Sequence, residues 1–166
     1  MDDLHHPKVS PFDRNIAASL NLQPAFIDFV FAESKPACFD FRCEPAENGW
    51  TCFIPDEIDV AYPLWSANAD QTLLLVRSDG CYYGHGYHDD PTVAYVSRTS
   101  QGLLAELFIA MYESETEISE LQNAAEFASF RYLNACIDFS KKHGADFRNY
   151  YQLRERLIAE IDEERL

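Results

Sequence analysis

Apolar residues recur along this chain with two different periods, and the changes of period predict where helices give way to strands. Near the start, "SPFDRNIAASLN" reads as a helix opened by a capping box, with Ser10 as N-cap, Pro11 in the first helical position and Asp13 three residues after the cap. Pro24 starts a second helix, "PAFIDFVFAES", whose aromatic content marks it as largely buried. "ACFDFRC" then alternates in the manner of a strand, with Phe39 and Phe41 on one face and Cys38, Asp40 and Arg42 on the other. The turn cluster "EPAENG" makes "WTCFI" the returning strand of a hairpin. In "IPDEIDVAYPLW", Pro55 opens a short helix whose first turn holds Asp56, Glu57 and Asp59, where the positive end of a helix dipole favours carboxylates, and Pro63 ends it.

Asp79-Gly80, between "QTLLLVRS" and "CYYGHGY", is the strongest hairpin signal in the chain. "TVAYVSR" extends the same sheet as a meander. From Ser100 the period becomes helical, with Leu103, Leu104, Leu107, Phe108 and Met111 on one stripe. "SETE" restarts a long helix in which Ile118, Leu121, Ala125, Ala128, Tyr132, Ala135 and Phe139 recur at steps of three and four. Gly144 stops it, and a last charged helix runs from about Phe147 to the end. The heptad-like stripe is better matched to core packing than to pairing with another chain. These elements predict one α+β domain over residues 1–166, with a mainly antiparallel or mixed sheet of about five to six strands packed with N-terminal and C-terminal helices. Residues 1–9 are expected to form a flexible tail, and 100–166 the helical C-terminal part.

Composition fits this picture. A chain of 166 residues with a hydrophobic fraction of 47%, 12 Phe and 9 Tyr can bury a real core. No stretch approaches the roughly 18 continuous apolar residues of a membrane span. The opening "MDDLHHPKVSPFDR" lacks the apolar centre of a secretory signal, so the expected location is the cytoplasm. Five Cys with no CxxC pair read as reduced thiols.

Charge changes the picture more. A formal −15 opposes binding to nucleic acid and to anionic membranes. The excess is uneven: residues 44–126 hold fifteen acidic side chains against Arg77 and Arg98, whereas 1–43 and 127–166 are nearly balanced. Solvated acidic surface and a docking face for a basic protein both account for it.

Candidate chemistry gathers in "CYYGHGYHDD", residues 81–90. His85, His88 and Asp89 could ligate a metal in a hydrolase, but on a strand a separation of three sends the two imidazoles to opposite faces. Cys81 has no local group to activate it. No nucleophile elbow, HExxH helix, Walker loop or dinucleotide fingerprint is present. Catalysis is therefore disfavoured, and no cofactor is called for. The tyrosines could stack bases, yet no Lys or Arg interleaves with them to hold a phosphate backbone. Tyr82, Tyr83 and Tyr87 suit sheet packing or a protein-binding face.

Between about residues 50 and 113 the order of features resembles the SUKH superfamily. The matching features are the Ile54-Pro55-Asp56 start of a short helix, its aromatic end at Tyr62, Leu64 and Trp65, a strand pair, and a strand ending in Ser or Thr that leads into a helix with Leu103, Leu104 and Phe108. Members include a fungal cell-wall-synthesis regulator and many bacterial immunity proteins. Where members commonly carry Asn-Gly after the short helix, this chain has Ser66-Ala67-Asn68-Ala69-Asp70. The resemblance implies an α+β fold without catalysis, and a protein that binds and neutralises a toxin, often a nuclease. Joined to the charge, it makes Asp56, Glu57, Asp59, Asp70, Asp79, Asp89 and Asp90 the candidate charged contacts for a basic partner. Trp65, Tyr82 and Tyr87 are the candidate aromatic anchors, although core packing fits each at least as well and fits Trp65 better. A regulatory or scaffolding module of similar fold is the alternative.

Overall fold

The computed structural model describes residues 8–46, 54–67, 71–86 and 93–166. The chain divides into two compact units, Met1–Lys35 with Phe39–Val96, and Pro36–Cys38 with Ser97–Leu166.

In the first unit, β1 (Ala61–Ala67), β2 (Gln71–Val76), β3 (Tyr82–Gly86) and β4 (Val93–Ser97) form one antiparallel sheet in the order β1-β2-β3-β4. β2 is flanked on both sides, and its residues 72–76 are all buried, as expected of an apolar run in a central strand. The Asp79-Gly80 turn forms as the sequence predicts. Gly80 takes φ 69°, a conformation that costs other residues, and the Asp79 carboxylate accepts a hydrogen bond of 2.8 Å from the Cys81 N–H.

"AYPLWSA" is strand, not the end of a helix. Around Pro55 there is a single turn, closed by the Ile58 N–H donating to the Pro55 carbonyl at 3.1 Å. Ile54 and Ile58 then bury against Ala61, Leu74 and Val76, which commits the following residues to pair with β2. Pro63 is tolerated because β1 is the sheet edge. Ala61 bonds outward to Lys8 and Ser10, so two residues on, the missing N–H of Pro63 also faces away from β2.

That edge is covered by isolated bridges to Val9 and Glu44. Lys8 and Val9 are thus part of the fold, and residues 1–7 of the expected tail lie outside the described residues. The expected strand at 37–43 is replaced by a 3-10 turn, Ala37–Phe39, followed by Phe41 at φ 63°. Its two aromatics do not share a face: Phe39 is 1% exposed and Phe41 70%. Residues 50–53 of the expected returning strand lie outside the described residues. The described sheet therefore has four strands, fewer than the five to six expected.

α1 (Arg14–Ser19) and α2 (Pro24–Val30) precede the sheet. The cap of α1 is Asp13, whose carboxylate accepts from the Ile16 N–H at 2.8 Å, and not Ser10. α2 starts at Pro24 as predicted and buries Phe26 and Phe29. Edge-to-face contacts join Phe26 to Tyr82 (5.8 Å), and Phe29 to both Trp65 (5.9 Å) and Phe39 (5.2 Å).

The second unit is helical: α3 (Ser100–Glu113), α4 (Ile118–Phe127), α5 (Leu133–His143) and α6 (Tyr150–Asp162), with α3 packed on the other three. The expected long helix from 117 is two helices. The chain turns at Ser129 (φ 52°), where the buried Gln101 side chain donates to the Ser129 carbonyl (3.0 Å) and accepts from the Arg131 N–H (3.0 Å). Phe130 stacks on Phe108 at 4.6 Å, so the break is fixed from both sides. Lys141, Lys142 and His143 fill the last turn of α5, where the dipole favours cations, and Gly144 caps it. The start of α3 is held by Asp162, whose carboxylate accepts from the Arg98 N–H (2.7 Å), the Thr99 N–H (2.9 Å) and the Thr99 hydroxyl (2.6 Å). Among the described residues no helix is long and apolar enough to cross a membrane.

Candidate functional site

Four of the sequence-predicted acidic residues come together at one end of the first unit's sheet. Asp56, Glu57 and Asp59 occupy the turn before β1, and Asp79 the β2–β3 turn. All four are exposed. Asp59 accepts from Arg77 Nε at 2.9 Å and from the Ser78 N–H at 3.1 Å, which ties the two turns together. Its carboxyl is held below the usual range, first by a hydrogen bond from the Val60 backbone and then by Arg77 and Ser78. Asp79 accepts from the Tyr83 hydroxyl at 2.7 Å, and this bond, with partial burial, raises the Tyr83 phenol above its ordinary value. Asp56 lies 3.5 Å from Lys8. With Asp56 and Asp59 each facing a cation, the local excess of charge rests on Glu57 and Asp79.

Asp70, Tyr87, Asp89 and Asp90 lie outside the described residues. Trp65 and Tyr82 are not surface anchors: at 4% and 2% exposure they belong to the aromatic core against α2. Periodicity alone could not separate these roles, because both side chains alternate on strands whose two faces are buried.

The metal reading rested on His85, His88 and Asp89. His85 is fully buried on β3, opposite Thr72, while His88 and Asp89 lie outside the described residues. Among the described residues no group of three His, Cys, Asp or Glu is placed to hold a metal ion.

One feature sharpens the sequence reading and a second escaped it. The first is the scale of acidic exposure: of eleven described acidic residues between 44 and 126, ten are exposed, Glu106 being the exception. In the second unit, Glu115, Glu117, Glu120 and Glu126 lie on and just before α4, and none is in an ion pair among the described residues. The second feature is a cleft of about 610 Å³ in the first unit, between the end of α2 and the 39–45 segment, with Leu64 and Trp65 of β1 at its base. A smaller hollow of about 270 Å³, lined by Phe12, Pro11 and Pro63, adjoins it across Val30 and Phe31. Lys35 projects into the main cleft; its ammonium donates to the Val30 and Ala32 carbonyls, both at 3.3 Å, and stands 5.5 Å from the Phe29 ring centre. Burial lowers its proton affinity, and the nearby Cys43 acts in the opposite sense. No signal in the sequence marked the cleft: the alternation of "ACFDFRC" reads as strand, whereas Phe41 takes a left-handed conformation.

No family model matches the chain, and no curated protein or solved structure matches it either.

Proposed function

We propose that this chain is a non-catalytic, acidic binding protein that occupies the basic surface of a partner protein, as an immunity protein occupies a cognate toxin such as a nuclease. The observation that carries the reading is the exposure of ten of the eleven described acidic side chains between 44 and 126, in a segment with only Arg77 and Arg98 to offset them. A nuclease is basic where it grips phosphate, and a negative surface opposite it speeds encounter and selects against acidic competitors. The order of the strand pair, β4 and α3, with Leu103, Leu104 and Phe108 buried, supports a SUKH-like reading of this part. The short helix ending at Tyr62, Leu64 and Trp65 does not support it, since those residues form β1.

The test is affinity capture with the tagged full chain from lysate of the source organism, washed at low and then high salt. One basic protein that is held at low salt, released at high salt and toxic when expressed alone supports the reading. A basic partner without toxicity moves it to a regulatory module, and capture of no basic protein overturns it. With the partner in hand, Asp56→Asn with Glu57→Gln serves as the clean charge probe, because neither side chain supports a turn by hydrogen bonds as Asp59 and Asp79 do. The pair is expected to slow association by up to about tenfold at low ionic strength and to leave stability unchanged.

A further inference from the structure

We propose that the cleft between the end of α2 and the 39–45 segment is a receptor for an arginine side chain of a basic polypeptide. The proposal rests on the binding reading above and names the group by which the partner would be anchored.

Charge sets the sign of the ligand. Glu33, Asp40 and Glu44 line the cleft, all three are exposed, and none is in an ion pair among the described residues. Against them stands the ammonium of Lys35, which leaves the cleft net negative. The carbonyl end of α2 adds to the same potential. Lys35 is also an internal precedent, for this cleft already draws one cation onto carbonyl oxygens and over an aromatic ring.

Shape and surface select arginine among cations. Phe31 and Phe41 give the cleft aromatic walls, and the buried Leu64 and Trp65 its apolar base. A guanidinium is flat and weakly hydrated; it stacks on such rings while its N–H fork meets a carboxylate edge-on, and its methylene stem covers apolar surface. A lysine ammonium keeps its water and gains less from the walls. The volume of about 610 Å³ lies within the roughly 300–1,000 Å³ of ordinary ligand pockets. Phe41, 70% exposed at φ 63°, contributes little burial to the fold and sits where a stacking partner would cover it.

The experiment titrates the ¹⁵N-labelled full chain with a blocked Gly-Arg-Gly peptide, and in parallel with the same peptides carrying lysine or uncharged citrulline. Saturable shifts in the amides of 31–45 and 64–65, largest for the arginine peptide, are expected. Asp40→Asn with Glu44→Gln should weaken binding about fivefold or more, as the loss of charge-assisted hydrogen bonds requires. Glu155→Gln, exposed on α6, should leave it unchanged. Amide spectra away from the cleft report that each variant is folded. An equal response to citrulline, no saturable shift in the cleft, or full affinity in the Asp40/Glu44 variant overturns the proposal. If the tripeptide binds while capture finds no basic protein, the receptor stands and the proposed function falls. If a basic partner binds with full affinity to the Asp40/Glu44 variant, the reverse holds.

Discussion

Asp162 offers the sharpest check on how the second unit is held together. The sequence "IAEIDEERL" shows a carboxylate in the last turn of a helix, where the negative end of the dipole disfavours it. In the structure it is 8% exposed and is spent instead on the N-terminus of α3, accepting from two backbone N–H groups and the Thr99 hydroxyl at 2.6–2.9 Å. Hydrogen bonds to a charged group contribute about 1.5–3 kcal/mol each when isolated. The three here share one carboxylate, and Arg98 lies at the surface where water can replace a lost bond. Asp162→Ala is accordingly expected to cost about 3 kcal/mol, and Asp162→Asn, which keeps one acceptor oxygen, about 2 kcal/mol. With a urea slope near 2 kcal/mol/M, the alanine variant should lose about 1.5 M of midpoint at unchanged slope, followed by circular dichroism at 222 nm. Gly102 supplies a second arm. A Cβ there would run into the Asp162 carboxylate and come within 2.8 Å of the Ser97 Cβ. Gly→Ala in a helix ordinarily stabilises by about 1 kcal/mol, so the expected destabilisation by Gly102→Ala has the opposite sign. Its cost should also shrink in the Asp162→Ala background. A loss under about 0.5 kcal/mol for Asp162→Ala, or a stabilised Gly102→Ala, would refute this account of the latch.

Two further outcomes follow from groups that burial or a hydrogen bond has shifted. Burial pushes the Cys136 thiol up to about 12, so at pH 8 its alkylation, read by mass spectrometry of the native chain, should be far slower than at half-buried Cys81; rapid native labelling of Cys136 contradicts its place between α3 and α5. The Asp79 bond holds Tyr83 in its neutral form, so this contribution to stability is complete below pH about 10 and declines as pH rises through the raised value; in a spectrophotometric titration Asp79→Asn should return one tyrosine toward ordinary ionisation, and an unchanged curve would show that the bond is not kept in solution.

Where local pattern and local cause coincide, the fold was legible. Pro24 opening α2, the Asp79-Gly80 turn and β4 all follow from residues within a few positions of the feature. Several of the errors have a different origin, since they were decided by residues far away in the chain. The break between α4 and α5 is satisfied by Gln101, about thirty residues earlier, while Ala125, Ala128, Tyr132 and Ala135 keep a helical spacing straight across it. Pro63 reads as a helix stop until β1 is known to be an edge, and the edge is defined by Val9 and Glu44. Tyr82 reads as anchor or core, and Trp65 as core more than anchor, until Phe26 and Phe29 placed against them decide both.

Charge was legible as a sum and misleading as a map. The first 43 residues hold four basic and six acidic side chains and so appeared nearly balanced, which drew attention to the segment after 44. The balance is arithmetic rather than spatial. Arg14 spends its charge on Asp28 at 2.9 Å and Lys8 faces Asp56, so among the residues lining the cleft only Lys35 offsets the carboxylates of Glu33 and Asp40. Those two join Glu44 from across the chosen boundary around one aromatic cleft. Meanwhile Asp59 and Asp79, counted as contacts because they fall in the acidic segment, are already engaged in building the turns at the β2–β3 end. A net charge constrains what class of partner is attracted, because the field sums over all residues. Where that partner is gripped depends on which carboxylates have no cation of their own beside them, and only the pairing in space decides that.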